Sequence, residues 1–163
     1  RQHRDAVTAA GFQSDVDAVL SWLAQQPELA HLPLAGLGFC FGGHLAWHLA
    51  ARPELKAPAS FYGARVSTFS PGGGPPTLQL AAEIPGRLLV WLGADDPLMP
   101  ADEQQAIGSA LRAADPSAER LQCRIAPAAG HGFMCSQRSD FQPEAAEQGW
   151  QSLLELLDQV AEV

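Results

Sequence analysis

Residues 36–44 read GLGFCFGGH. A cysteine stands between two phenylalanines, with glycine two positions before it and two positions after it. A buried structural thiol needs no such spacing. An apolar run, LPLAGLGFC, leads into it, and a helical pattern, GGHLAWHLAARP, leads away. Strand, tight turn and helix in that order form a G-x-nucleophile-x-G elbow, with Cys40 in the position more often held by serine. Glycines are expected there because the chain approaches itself too closely for a Cβ. A thiol at a helix N-terminus meets a positive dipole end, which favours the thiolate and a developing oxyanion. The backbone N–H of Phe41 is then an oxyanion donor.

Working outward, helices and strands alternate. Residues 12–29 hold Val16, Val19, Leu20 and Leu23 on one helical stripe, with Ser14 and Asp17 as a capping box and Pro27 as a stop. Strand-length runs recur at APASFYG (57–63), RLLVWLG (87–93) and LQCRIAP (121–127). Ile107, Ala110, Leu111 and Ala114 mark one face of another helix. A last helix near Pro143 carries Ala146, Trp150, Leu153, Leu154, Leu157 and Ala161. The segment VSTFSPGGGPPTLQ reads as a loop. The expected fold is α/β: a short parallel sheet of four strands with helices on both faces. All 163 residues read as one domain, because no linker interrupts them.

Composition narrows the function classes. A hydrophobic share of 47% with 17% charged residues belongs to a globular chain. The formal net charge of −8 argues against nucleic acid, which requires clustered Lys and Arg. No stretch approaches the ~18 uninterrupted apolar residues of a membrane span, and the opening RQHRDAVTAA lacks the apolar core of a secretory leader, so secretion is not expected. Three cysteines without metal-type spacing argue against a disulfide framework, so a reducing cytoplasm is the expected location.

Reactive groups in parallel sheets gather at the carboxyl ends of strands. Two more candidates stand there. Asp96, in GADDPLMP, follows RLLVWLG, with Asp95 as its adjacent rival. His131, in AAGHGFM, follows LQCRIAP. Nucleophile, acid and histidine occur in the order known from α/β-hydrolases. Each has a plainer reading: Cys40 as a core thiol, Asp96 as a turn cap before Pro97, His131 as a loop histidine. His44 and His48 lie four apart on one helix, but no third ligand accompanies them, so no metal is expected. Cys135 lacks a redox-motif spacing, and Cys123 reads as core. Tyr62 and Trp91 read as packing aromatics, and Gly72–Gly74 as a bend rather than a phosphate loop.

Taken together, GFCFGG, SFYG, GADDPLMPA and GHGFMCSQRSDFQPEAAEQGW resemble the dienelactone hydrolase family of α/β-hydrolases, from about residue 12 to the end. The resemblance implies a Cys40–Asp96–His131 triad that hydrolyses carboxylic esters or lactones without a cofactor. Two departures are visible. The family's strands ahead of the helix at 12–26 are absent, so the chain reads as the C-terminal portion of a longer protein. Members acting on dienelactone carry arginine four residues after the histidine, where this chain has Cys135; the nearest arginine is Arg138.

The rival expectation is a non-catalytic remnant. With the first strand deprived of its family neighbour, its edge would pair with another chain, so a homodimer through the sheet edge is expected under that reading.

Overall fold

The computed structural model describes residues 5–161. In chain order the elements are α1 (Ala9–Ala24), β1 (Leu34–Phe39), α2 (Phe41–Ala50), β2 (Leu55–Phe61), a 3-10 helix (Thr77–Glu83), β3 (Leu88–Gly93), α3 (Ala101–Ala114), β4 (Leu121–Ala126) and α4 (Pro143–Ala161). The four strands form one sheet in the order β1-β2-β3-β4, and every pairing is parallel. The expected α/β architecture is present.

Alternation along the central strands creates two cores. Successive side chains on a strand point to opposite faces. Leu89 and Trp91 of β3 join Ala57, Ala59 and Phe61 of β2 beneath α4. Leu88, Val90 and Leu92 face the other way, onto Trp47 of α2 and Ile107 and Leu111 of α3. Every residue of β3 is buried, as a strand covered on both faces requires. At the α4 face, a Cβ on Gly149 would sit 3.0 Å from Met134 and 3.2 Å from Phe61, so glycine permits that close approach.

Several expectations shift. α1 begins at Ala9 and is capped by Thr8, whose Oγ1 accepts the Gly11 N–H at 3.0 Å. Ser14 therefore lies inside the helix and caps nothing. The buried row of α4 is Ala145, Ala146, Gly149, Ser152, Leu153 and Leu156. Trp150 and Leu154, expected on that row, are 42% and 61% exposed. The helix is apolar on two adjacent faces, and periodicity alone cannot choose between them. The segment expected as pure loop closes with the 3-10 helix, whose Thr77 and Ala81 are buried.

β1 is an edge strand, with Ala35 and Leu37 exposed. α1 contributes no fully buried residue, and Val19 of its stripe is 56% exposed. Phe12, Val16, Leu20, Leu23, Leu34 and Leu49 line an apolar groove of about 290 Å³ between α1 and this edge.

Candidate active site

Cys40 occupies the turn between β1 and α2 with φ 53° and ψ −118°, a conformation that costs of order 1–3 kcal/mol for a side-chain-bearing residue. Such strain persists only where the surroundings impose it. Cys40 N–H donates to Phe61 O at 3.0 Å, and Cys40 O accepts from His44 N–H at 3.1 Å. One elbow glycine is required by space: a Cβ on Gly38 would overlap the carbonyl of Gly42. Gly42 differs from expectation, since a Cβ there would meet nothing within 4 Å. The second close approach belongs to Gly43, where a Cβ would sit 2.5 Å from Phe61 O and 3.1 Å from Gly63.

The turn leaves the Cys40 thiol exposed at the head of α2. His131 reaches it from the loop after β4: Nε2 lies 3.0 Å from Cys40 Sγ. On the other side of the ring, His131 Nδ1 lies 2.8 Å from Asp96 Oδ2. Asp96 is 3% exposed and His131 7%. The second oxygen of Asp96 accepts the Leu98 N–H at 2.8 Å, which fixes the carboxylate. With a carboxylate at Nδ1, the ring carries its proton there. Asp95 is exposed and offers only its backbone to this region, donating to Ala129 O at 3.0 Å. The three sequence candidates therefore meet in one line, and Asp96 rather than Asp95 faces the imidazole.

The electrostatics favour an ion pair. The Asp96 contact, then the Cys40 contact, raise the His131 pKa to about 9. The hydrogen bond to His131 lowers the Cys40 thiol; burial opposes this, and the imidazolium charge and the Phe41 N–H assist it. Opposite shifts on touching groups favour thiolate and imidazolium together.

Around them is a cavity of about 520 Å³, lined by Cys40, His131, Phe41, Arg65, Phe69 and Leu98 among others. The bend that holds Gly72 and Gly73 lines one side. Gly72, Gly73 and Gly74 take φ of 84°, 94° and 95°, and Ala9 N–H donates to Pro71 O at 2.7 Å, tying this bend to the start of α1.

Other residues weighed from the sequence resolve as follows. His44 Nδ1 donates to Ala64 O at 2.9 Å, and its Nε2 shares the Thr77 hydroxyl, at 2.8 Å, with His48 Nε2 at 3.3 Å. Burial pushes His48 down to about 4 and lowers His44. The pair is a neutral hydrogen-bonded support for the loop. Cys123 packs partly buried, its thiol pushed up to about 11 by burial. Cys135 is exposed. Trp91 is core, whereas Tyr62, read as packing, also stands edge-on to His131 with centroids 5.2 Å apart. Arg138 pairs with Asp140 at 3.1 Å.

Two features escaped the sequence. Arg65, with φ 66°, extends over the Phe69 ring at 5.1 Å inside the cavity. Buried Glu103 accepts the Ser67 N–H at 3.3 Å, and so holds that loop to α3. Arg65 follows a strand end, which was a usable signal; the Glu103 contact spans 36 residues and left none.

Comparison with known proteins agrees with this architecture. A sequence model of the dienelactone hydrolase family matches residues 2–161. A Synechocystis protein provisionally named carboxymethylenebutenolidase is 31% identical over 156 residues, 96% of this chain and 62% of that protein. The crystal structure of a protein provisionally assigned as a dienelactone hydrolase, from Klebsiella pneumoniae, superposes with TM-score 0.80 at 33% identity, covering 94% of this chain and 62% of that one. A dienelactone hydrolase-like promiscuous phosphotriesterase from metagenomic libraries superposes with TM-score 0.68 at 25% identity, covering 88% and 59%. The chain thus spans about three-fifths of the length of these relatives. Because the family model matches nearly the whole of this chain, and the fold is shared with these structures, the chain belongs to the dienelactone hydrolase family.

Proposed function

We propose that the chain carries the catalytic centre of a carboxylic ester or lactone hydrolase, with Cys40 as nucleophile, His131 as acid and base, and Asp96 as its orienting carboxylate. One observation carries the reading: His131 touches Cys40 Sγ at 3.0 Å and Asp96 at 2.8 Å through its two nitrogens. The names of the relatives support the substrate class, a small ester or lactone entering the cavity.

The thiolate attacks the substrate carbonyl carbon, and the carbonyl electrons move to oxygen. The Phe41 N–H at the start of α2 donates to that oxyanion. As the tetrahedral species collapses, the C–O bond breaks and imidazolium passes its Nε2 proton to the departing alcohol. A thioester on Cys40 remains. Neutral His131 then takes a proton from water, whose oxygen attacks the thioester carbon. The C–S bond breaks, the acid leaves, and thiolate and imidazolium are restored. Asp96 holds the Nδ1 proton throughout and stabilises the imidazolium. No metal or organic cofactor enters these steps.

The unit acts as one domain, and its three unpaired thiols suit a reducing compartment such as the cytoplasm. Among the described residues, no helix is long and apolar enough to cross a membrane. Hydrolysis of p-nitrophenyl acetate by this chain and by Cys40→Ala tests the assignment: the variant should lose the enzyme-dependent rate, and equal rates would remove Cys40 from the mechanism.

A second reading rests on the open β1 edge beside the apolar groove of α1. Backbone groups there can add a strand from another copy, giving a homodimer whose role is association rather than catalysis. Gel filtration distinguishes them: a dimer without esterase activity favours association.

A further inference from the structure

The amino end of the sheet, opposite Cys40, has an unusual distribution of charge. The chain holds ten Lys and Arg against eighteen Asp and Glu, so a cavity lined by cations alone is not the expected outcome of mixing. Yet a cavity of about 560 Å³ at this end is lined by His31, Lys56, Arg87, Arg120, Gln159 and five uncharged neighbours among the described residues, with no Asp or Glu. The sheet dictates the arrangement. His31 precedes β1, Lys56 is the second residue of β2, Arg87 immediately precedes β3, and Arg120 immediately precedes β4. Leu88 and Leu121 pair in register, so Arg87 and Arg120 stand side by side. Neighbouring strands lie ~4.8 Å apart, so the backbone positions that carry the three permanent cations span about 10 Å.

Their hydrogen bonds leave capacity. Lys56 donates to Pro53 O at 2.7 Å and Arg87 to Glu119 O at 3.0 Å. Arg120 is more occupied, donating to Gly86 O at 2.8 Å, to Ile84 O at 3.3 Å and, at the C-terminal end of α3, to Ala114 O at 3.5 Å. Helix C-termini favour cations, so that last contact explains part of Arg120's placement. It does not explain Lys56 or Arg87, which meet loop carbonyls. An ammonium has three donors and a guanidinium five, so each keeps some for a ligand. No carboxylate among the described residues comes within ion-pairing distance of the three. Asp115, the carboxylate acting on Arg120, is engaged by the backbone N–H groups of Arg120 and Leu121 at 2.7 and 3.0 Å.

We propose that this cavity is a binding site for a small polyanion, a ligand with two or more carboxylate or phosphate groups set to bridge the starts of β2, β3 and β4. A single phosphate fills too little of the span to meet all three cations. The site is independent of Cys40, so it stands or falls apart from the hydrolase reading.

Calorimetric titration of this chain at low ionic strength tests it, with citrate and pyrophosphate as the two polyanion probes and acetate and inorganic phosphate as single-group controls. The expected result is saturable one-to-one binding of at least one polyanion with a dissociation constant below about 1 mM. The controls should bind at least tenfold more weakly, and added salt should weaken the polyanion. Which probe binds more tightly tells carboxylate from phosphate preference. Lys56→Gln with Arg87→Gln should weaken binding at least tenfold at an unchanged melting temperature, while Lys56→Arg and Cys40→Ala retain it. No saturable heat with either polyanion would overturn the proposal, as would binding that survives the double glutamine variant. If the double variant melts early, the salt dependence and the preference over single-group anions decide.

Discussion

His131 Nδ1 meets Asp96 Oδ2 at 2.8 Å, and this contact governs the charge on the opposite side of the ring, where Nε2 faces Cys40. Replacing Asp96 by Asn keeps the size and removes the charge. The imidazole then loses the first cause of its raised pKa and can present the wrong tautomer to the thiol. Asp96→Asn should lower kcat by about 10²–10⁴ with a small change in KM. Steady-state kinetics on a p-nitrophenyl ester checks this; a loss confined to KM would assign Asp96 to substrate binding instead.

The pH dependence follows from the two opposite shifts. Cys40 is lowered and His131 is raised to about 9, so the ion pair is expected from the lowered thiol range up to about pH 9. Activity should rise as Cys40 ionises and fall as the imidazolium is lost near pH 9. Thiolate absorbance should appear at lower pH in the wild-type chain than for an ordinary thiol, and that early onset should be absent in Cys40→Ser. His131→Gln should return its onset toward the usual thiol range. The stability sign is also set: a raised folded pKa on His131 stabilises fully below the ordinary imidazole range near 6.5 and is lost as pH rises through about 9. The lowered Cys40 pKa contributes with the opposite sign as pH rises toward the ordinary thiol range, so the two slopes offset, and denaturant midpoints should fall more steeply above neutrality in Cys40→Ser, where only His131 remains, than in the wild-type chain.

The elbow glycines make unequal demands. A Cβ at Gly38 runs into the Gly42 carbonyl, whereas one at Gly42 meets open space. Gly38→Ala should cost about 1–3 kcal/mol through overpacking. Gly42→Ala, within the first turn of α2, should be neutral or stabilise by up to ~1 kcal/mol. Urea midpoints of the two variants decide this, and equal losses would mean that Gly42 is held by something other than local space.

Glu103 is buried at 6% exposure and accepts the Ser67 N–H, two residues beyond Arg65 in the cavity wall. Glu103→Ala should leave that donor unsatisfied and cost about 1–3 kcal/mol. If the loop shapes the cavity, KM should rise more than kcat falls. A stability loss with unchanged kinetics would make Glu103 purely structural.

Leu37 is 44% exposed on the β1 edge. Leu37→Lys introduces a charge of the kind that discourages strand addition. Sedimentation velocity should show less self-association than in the wild-type chain, and an unchanged distribution would exclude this edge as the association surface.

How legible this molecule was in its sequence depended on the range of the signal. The elbow is written within nine residues, because strand, glycine spacing and helix are all local. Asp96 and His131 were visible because each directly follows a strand in a parallel sheet. The residues left Asp95 and Asp96 open on their own; resemblance selected Asp96, and only three-dimensional orientation puts it against the imidazole. The α4 stripe misled because Trp150 and Leu154 extend an apolar pattern onto the exposed side. The short helix at Thr77–Glu83 hid behind a Pro- and Gly-rich lead, and its stabilising contacts to His44 and His48 cross about thirty residues. The cation row at the amino end of the sheet requires the strand register and is invisible without it.

The central claim is that Cys40 forms the covalent bond to the acyl group. Brief reaction with p-nitrophenyl acetate, acid quenching and peptide mass mapping test it directly. The account predicts an acetyl thioester on Cys40, little or none on Cys123 or Cys135, and its loss in His131→Gln. Acetylation spread over the exposed Cys135 as readily as Cys40, or an unmodified Cys40 while ester hydrolysis proceeds, would contradict it.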